Sequence, residues 1–427
     1  MSGPDRSDGR PLAAATWSLF VGLGFLLMGV GLFATALSID AESLHFSNIE
    51  IGLLGASYYG GFLIGAILTP SALAGVGHIR VYTALSSLLS AAILFVGLTS
   101  SPLAWIALRL FSGACIAGLY VVAESWLNQV ASNHRRGRLL GVYMVVTSGA
   151  YGIGQALVGT VDLHTVQGFA IAALFTSLAI APVALSEDAA PPPVVRGATI
   201  RLRRLARLVP TGVGTCLLVG IAHGSLVTMG VIYATRSGLT AGDAGRFVAA
   251  TGIGGMLAQW PISTASDELD RRFVGVVVSC GAVVASTWLL FVGAHGWRGL
   301  LAMGVLGGLS FPLYSVAAAY ANDWVEPHEM SGAASSLIVV YGVGALVGPL
   351  VTSTLNISVG IDGYPWSMIA LHALIVVFLI YRMFAWRAPI ATTKWNDASL
   401  STRAFFIPAN VVWMGRKIRT RSISERE

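Results

Sequence analysis

The chain has 427 residues, of which 55% are hydrophobic and only 11% charged, with a formal net charge of +6 and a mean hydropathy of +0.75. A soluble chain of this length needs far more charge to cover its surface, so a water-exposed globule is excluded. The basic excess comes with no groove-reading motif, so nucleic-acid binding is not needed to account for it.

The first ten residues are polar and carry Arg6 and Arg10. The apolar stretch behind them is too long for a signal-peptide core and reads as an uncleaved span. A spanning helix needs about 20 apolar residues at about 1.5 Å each. Twelve stretches meet that demand: 13–38, 50–74, 80–99, 103–128, 138–160, 166–184, 211–235, 243–265, 273–294, 299–322, 332–356 and 364–385. Backbone groups inside a bilayer must bond within their own segment, so these are predicted to be helices, and the class is an all-α membrane protein. Cys115, Cys216 and Cys280 all fall within spans and form no spaced framework, so neither a disulfide scaffold nor a metal site is indicated.

Five segments follow from this: a cytoplasmic N-terminus (1–12), a first six-helix half (13–184), a central loop (185–210), a second six-helix half (211–385) and a basic tail (386–427). The central loop opens with Pro191, Pro192 and Pro193, which break any helix. Leu202, Leu205, Ala206 and Val209 then recur at helical spacing among Arg201, Arg203, Arg204 and Arg207. That pattern predicts a short amphipathic helix on the cytoplasmic lipid face, or else a solvated basic linker. The tail carries Phe405, Phe406, Val411, Val412 and Trp413 near Arg416 and Lys417, either a membrane-docking patch or a plain polar tail. With the N-terminus inside, 22 of the 26 Lys and Arg lie in cytoplasmic segments. The positive-inside rule then selects N-in and C-in.

The second half repeats the first at a shift of 194 residues. Leu119 and Tyr120 recur as Leu313 and Tyr314, and Val145, Val146 and Gly154 recur as Val339, Val340 and Gly348. Ala56, Gly60, Gly61 and Leu63 recur as Ala250, Gly254, Gly255 and Leu257. One register shared by several segments marks duplicated halves, a construction common among secondary transporters.

Polar groups inside the spans are the candidate site. Arg109 sits in span 4, one turn before Gly113, where a charge costs at least about 2.5–3.5 kcal/mol. It must face a partner or a wet cavity, either as an anion site or as a structural ion pair. Glu124, in the same span, is a proton acceptor or a gate group pairing with Arg135, Arg136 or Arg138. Arg109 and Glu124 lie roughly 22 Å apart along one helix and cannot pair. His223 in span 7 is a proton-linked group or a satisfied structural histidine. Gln155, Gln259, Tyr120 and Tyr314 either line a cavity or join helices. Asp267, Asp270, Arg271 and Arg272 between spans 8 and 9, with Asp323 at the end of span 10, suggest a cytoplasmic latch of individually weak pairs.

Arg109-x-x-x-Gly113 resembles the span-4 motif of the major facilitator superfamily, and Asp267 through Arg272 resembles that family's loop motif after span 8. With the six-plus-six repeat and the long basic central loop, the resemblance covers residues 13–385. Val121-Val122-Ala123-Glu124-Ser125, Arg136-Gly137-Arg138-Leu139-Leu140 and Gln259-Trp260-Pro261-Ile262 look more specifically like its bacterial YcaD-like branch. There are departures. Ser263, Glu268 and Asp270 replace the loop motif's Gly, basic residue and Gly, and Leu73 stands where the first half would carry its acid. The resemblance implies a twelve-helix major facilitator fold of two pseudo-symmetric halves, with a central cavity lined by spans 1, 4, 7 and 10.

The expected function is secondary transport of a small organic solute across the bacterial inner membrane by alternating access, coupled to protons and tilted towards efflux. Uptake of a small metabolite anion and a non-transporting sensor or assembly factor are the alternatives. No Walker-type phosphate loop is present, so ATP is not the direct driver, and no nucleophile–base grouping suggests an enzyme. The expected partners are the substrate, the proton and membrane lipids, with no nucleic acid and no cofactor, and the chain is expected to act as a monomer.

Overall fold

A computed structural model describes residues 12–130, 136–162, 165–185, 202–326 and 329–385. The described residues are almost wholly helical. Span 1 is Leu12–Ser43, span 2 Asn48–Val76, span 3 His78–Gly97, span 4 Pro102–Val130, span 5 Arg136–Leu157 and span 6 Gln167–Ala184. Span 7 is Pro210–Arg236, span 8 Ala241–Glu268, span 9 Arg271–Val292, span 10 Gly296–Asn322, span 11 Met330–Val359 and span 12 Gly363–Ala385. All twelve expected spans are present, and span 1 runs five residues past its predicted end. Spans 6 and 10 are interrupted, at Ala179 and at Phe311, each shortly before a proline that cannot donate to the preceding turn.

Local chemistry repeats between the halves. Span 2 begins at a capping box in which Ser47 and Glu50 satisfy each other's backbone N–H groups. Span 8 begins the same way, with the Thr240 hydroxyl accepting from the Asp243 N–H and donating to its carboxylate at 2.7 Å.

Packing repeats as well. In the first half span 1 packs on spans 5 and 6, span 2 on span 4, and span 3 on span 6. In the second half span 7 packs on spans 11 and 12, span 8 on span 10, and span 9 on span 12. The halves touch through span 2 against span 11, span 5 against span 8, and span 1 against span 7. Glycines set these distances. A Cβ on Gly113 would collide with the Tyr58 carbonyl, and one on Gly154 with that of Met28. Without lipid-excluded hydrophobic force between helices, such close backbone approach is the main source of association.

The helix expected in the central loop forms as Leu202–Leu208, but it does not lie on the lipid face. Leu205 is fully buried in a small core with Val209, Cys216, Ala321, Ala333 and Leu337. Arg204 pairs with Glu329 at 2.6 Å. The apolar stripe finds protein partners at the ends of spans 7, 10 and 11, and these replace the lipid. The rest of the central loop and the tail, including Phe405 and Trp413, lie outside the described residues.

Candidate functional site

Arg109 is the centre of the candidate site. It is 6% exposed. The close approach at Gly113 brings span 2 against span 4 at Tyr58, and the Tyr58 ring centroid then lies 4.5 Å from the Arg109 guanidinium. Phe33 of span 1 lies at 5.1 Å. Tyr59 and Tyr151 are also within electrostatic range. The buried Nη1 has no hydrogen-bond acceptor. Cation–π contacts with desolvated rings offset roughly 2 kcal/mol of the burial cost, but no ring supplies a counter-charge.

Aromatic groups continue from Arg109 towards the second half. Tyr58 touches Tyr59 at 5.0 Å and Phe62 at 6.1 Å, and Phe62 lies 6.3 Å from Tyr120. Tyr59 senses Tyr341 of span 11. Tyr341 in turn packs edge-on against Tyr314 at 4.9 Å and against His223 at 5.6 Å. Tyr120 and Tyr314, the pair related by the internal repeat, thus each belong to a ring set of their own half, and Tyr59 and Tyr341 bring the two sets within electrostatic range.

His223 is fully engaged. Its Nε2 lies 2.8 Å from the Ser310 carbonyl and its Nδ1 3.1 Å from the Tyr341 hydroxyl. A carbonyl only accepts, so the ring proton is on Nε2, and Nδ1 accepts from Tyr341. The Ser310 hydroxyl donates to Nε2 of His372, whose Nδ1 faces the Met368 carbonyl at 2.8 Å. Both rings are satisfied without a carboxylate.

The other expected residues are placed as follows. Glu124 lies on span 4 towards the end where span 1 begins, with the Tyr143 hydroxyl 3.5 Å from its carboxylate. The side chains of Arg135, Arg136 and Arg138 lie outside the described set. Gln259 donates to Ser263 and Ser315 at 3.0 and 3.1 Å, joining spans 8 and 10 away from Arg109. Gln155 is buried on span 5 where its carbonyl abuts Gly245 of span 8, at the contact between halves.

The latch residues do pair: Arg271 with Asp323 at 2.7 Å and with Asp267 at 3.1 Å, and Arg272 with Asp270 at 2.9 Å. Burial pushes the Asp270 carboxyl up, but hydrogen bonds from Arg272 outweigh it and hold the carboxyl below its ordinary value. Every one of these pairs lies within the second half.

An ion pair that does cross between the halves stands at the opposite end. Arg236, closing span 7, bonds both carboxylate oxygens of Glu42 at 2.9 Å and the Asn48 side chain at 2.6 Å. Glu42 and Arg236 are 194 residues apart, the repeat distance, so each is the other's counterpart. Beside them the Ser353 hydroxyl of span 11 bonds the Asn48 carbonyl, and Gly159 abuts Gly242. From there the span 2–span 11 contact reaches Leu63 against Gly342, about half-way along both helices.

Comparison with known proteins agrees with this architecture. A family model described as Major Facilitator Superfamily matches residues 19–294 and 247–421. The chain is 30% identical over 370 residues to "Uncharacterized MFS-type transporter YcaD" of Escherichia coli O7:K1 (strain IAI39 / ExPEC), covering 85% of this chain and 94% of that protein. The YcaD of Escherichia coli strain K12 / DH10B matches to the same extent. Among solved structures, the nucleoside transporter NupG aligns with a TM-score of 0.73 at 13% identity, covering 87% of this chain and 99% of that one. A bacterial homologue of the human lysosomal transporter Spinster, inward-facing and occupied, aligns with a TM-score of 0.69 at 15% identity, covering 88% and 97%.

Proposed function

From the chain's membership of the major facilitator superfamily, we propose that this transporter moves a small organic solute across the bacterial inner membrane by alternating access, driven by protons. The observation that carries the reading is the closure of the halves at one end and not the other among the described residues. Glu42–Arg236, Asn48–Ser353 and Gly159–Gly242 join them at the end opposite the termini. Tyr58 and Tyr59 lie along the span 2–span 11 contact that runs from that end to Leu63 and Gly342, and Arg109 packs on Tyr58.

The positive-inside rule puts the termini in the cytoplasm, so the closed end is external and the arrangement is inward-facing. The site residues are Arg109, Tyr120, Tyr314 and His223 in or beside the aromatic cluster, with Gln155 at the contact between halves and Gln259 supporting spans 8 and 10. We assign the coupling proton to Glu124, a carboxyl beside Tyr143 deep in span 4. His223 is the weaker candidate, because both its ring nitrogens are already bonded. Asp267, Asp270, Arg271, Arg272 and Asp323 brace the cytoplasmic ends of spans 8 to 10 and so keep the second half rigid as it rocks. Efflux remains the preferred direction.

The test is solute flux in proteoliposomes under an imposed pH gradient. Glu124→Gln is expected to leave exchange intact and to abolish its dependence on pH. Unchanged pH dependence in both Glu124→Gln and His223→Ala would sink the proton assignment.

A further inference from the structure

The guanidinium of Arg109 is a buried cation with no anion beside it among the described residues. Every element packed on it presents uncharged groups: Phe33 from span 1, Tyr58 and Tyr59 from span 2, and Tyr151 from span 5. The one acid elsewhere in span 4, Glu124, is about 22 Å along the helix at 1.5 Å per residue, beyond any ion pair. Removing a charge from water is tolerated where a counter-charge or a full set of hydrogen bonds replaces the lost hydration. Two rings give part of that, and Nη1 has no acceptor at all. No described residue supplies the missing partner, which leaves room for one from outside the chain.

Resting on the transport reading above, we propose that Arg109 and its tyrosines bind a small organic anion, with a carboxylate or phosphonate on the guanidinium and a flat aromatic body among the rings. A guanidinium offers paired N–H donors in one plane, which fit the two oxygens of a carboxylate. The walls select the rest of the ligand. Tyr58, Tyr59, Phe62 and Tyr120 form one set of packed rings beside Arg109, and Tyr314 and Tyr341 form another in the second half within electrostatic range of Tyr59. An aromatic body gains offset or edge-on contact with such rings. These tyrosines are half-buried residues, and a phenolic hydroxyl can both donate to and accept from further polar groups. An anion held between spans 4 and 11 touches both halves, so its binding is sensitive to the rocking that transport requires.

The test is thermal melting of the purified full-length protein with benzoate, phenylacetate or phenylphosphonate, against neutral benzamide and against chloride. The aromatic anions are expected to raise the melting temperature, and benzamide to leave it unchanged. Arg109→Gln is expected to weaken benzoate binding by at least about tenfold, since a charge-assisted bond is lost. The same variant should melt no lower than the wild type when both are unliganded, because it removes an uncompensated buried charge. A structural ion pair predicts the opposite. The proposal is overturned if no aromatic anion shifts melting, if benzamide shifts it equally, or if the benzoate shift survives in Arg109→Gln. A shift with chloride that benzoate cannot displace would make this an inorganic ion site and overturn it too. Labelled benzoate in proteoliposomes separates the two readings. Benzoate that binds but never crosses keeps this site and refutes transport, whereas flux of a neutral solute indifferent to Arg109 does the reverse.

Discussion

Gly113 and Arg109 act as one device. The glycine lets the Tyr58 carbonyl sit where any Cβ would stand, and that approach delivers the Tyr58 ring to the guanidinium. Gly113→Ala is therefore expected to cost about 1–3 kcal/mol by overpacking, read as a lower melting temperature, and to weaken solute binding by moving Tyr58. A loss of stability with binding unchanged would separate the glycine from the site. Arg109 was legible in the sequence because a charge inside an apolar run demands a partner, whether a structural ion pair or a bound anion. Phe33, Tyr58, Tyr59, Tyr151 and Tyr341 were not, because an aromatic residue in a span reads equally well as core, lipid contact or cavity wall. Only the tertiary placement around a lone cation distinguishes them. Tyr120 and Tyr314 were found because the repeat duplicated them. Gln259, read as a cavity wall or as a bond between helices, donates its amide N–H groups between spans 8 and 10 and keeps a buried Oε1 without a partner among the described residues.

At the scale of elements, the spans were legible because each is long, apolar and separated by turns, and because several segments of the first half recur in the second at one shift. The short helix Leu202–Leu208 was legible as a helix but not in its address. Its amphipathic stripe fits a lipid surface and a protein groove equally well, and sequence spacing carries no information on which neighbour is nearer. Leu205 is fully buried while Leu202 on the same helix is 40% exposed. Leu205→Ala is accordingly expected to destabilise the protein by about 2–5 kcal/mol. Leu202→Ala should fall within about 0.5 kcal/mol of wild type. Paired melting curves in detergent check this. Equal effects of the two changes would mean that the helix is not docked on spans 7, 10 and 11.

At the scale of the molecule, what matters is where charges join the two halves. Charges near helix ends are ordinary in a membrane protein, so Glu42 and Arg236 did not stand out, whereas the acids and arginines after span 8 did. These groups pair differently. The conspicuous cluster pairs within one half, while Glu42–Arg236 links repeat-related positions across the halves. An ion pair near the pseudo-two-fold relation suits a gate, since rocking the halves about that relation separates its partners. The pair is about a quarter exposed on each side, so its strength is closer to a surface pair, about 0–1 kcal/mol, augmented by the Asn48 bond. That is enough to bias a conformational equilibrium severalfold without locking it, as 1.4 kcal/mol corresponds to about tenfold. Glu42→Arg and Arg236→Glu are each expected to shift the population towards opening at this end, because like charges then face each other. The double exchange Glu42→Arg with Arg236→Glu should restore the closed population. The measurement is the distance between spin labels on Ser43 and Ser237, which should lengthen in both single variants and return in the double. If the double variant stays open, Glu42–Arg236 is a bystander, and closure rests on the packed contacts at Ser353 and Gly159 alone.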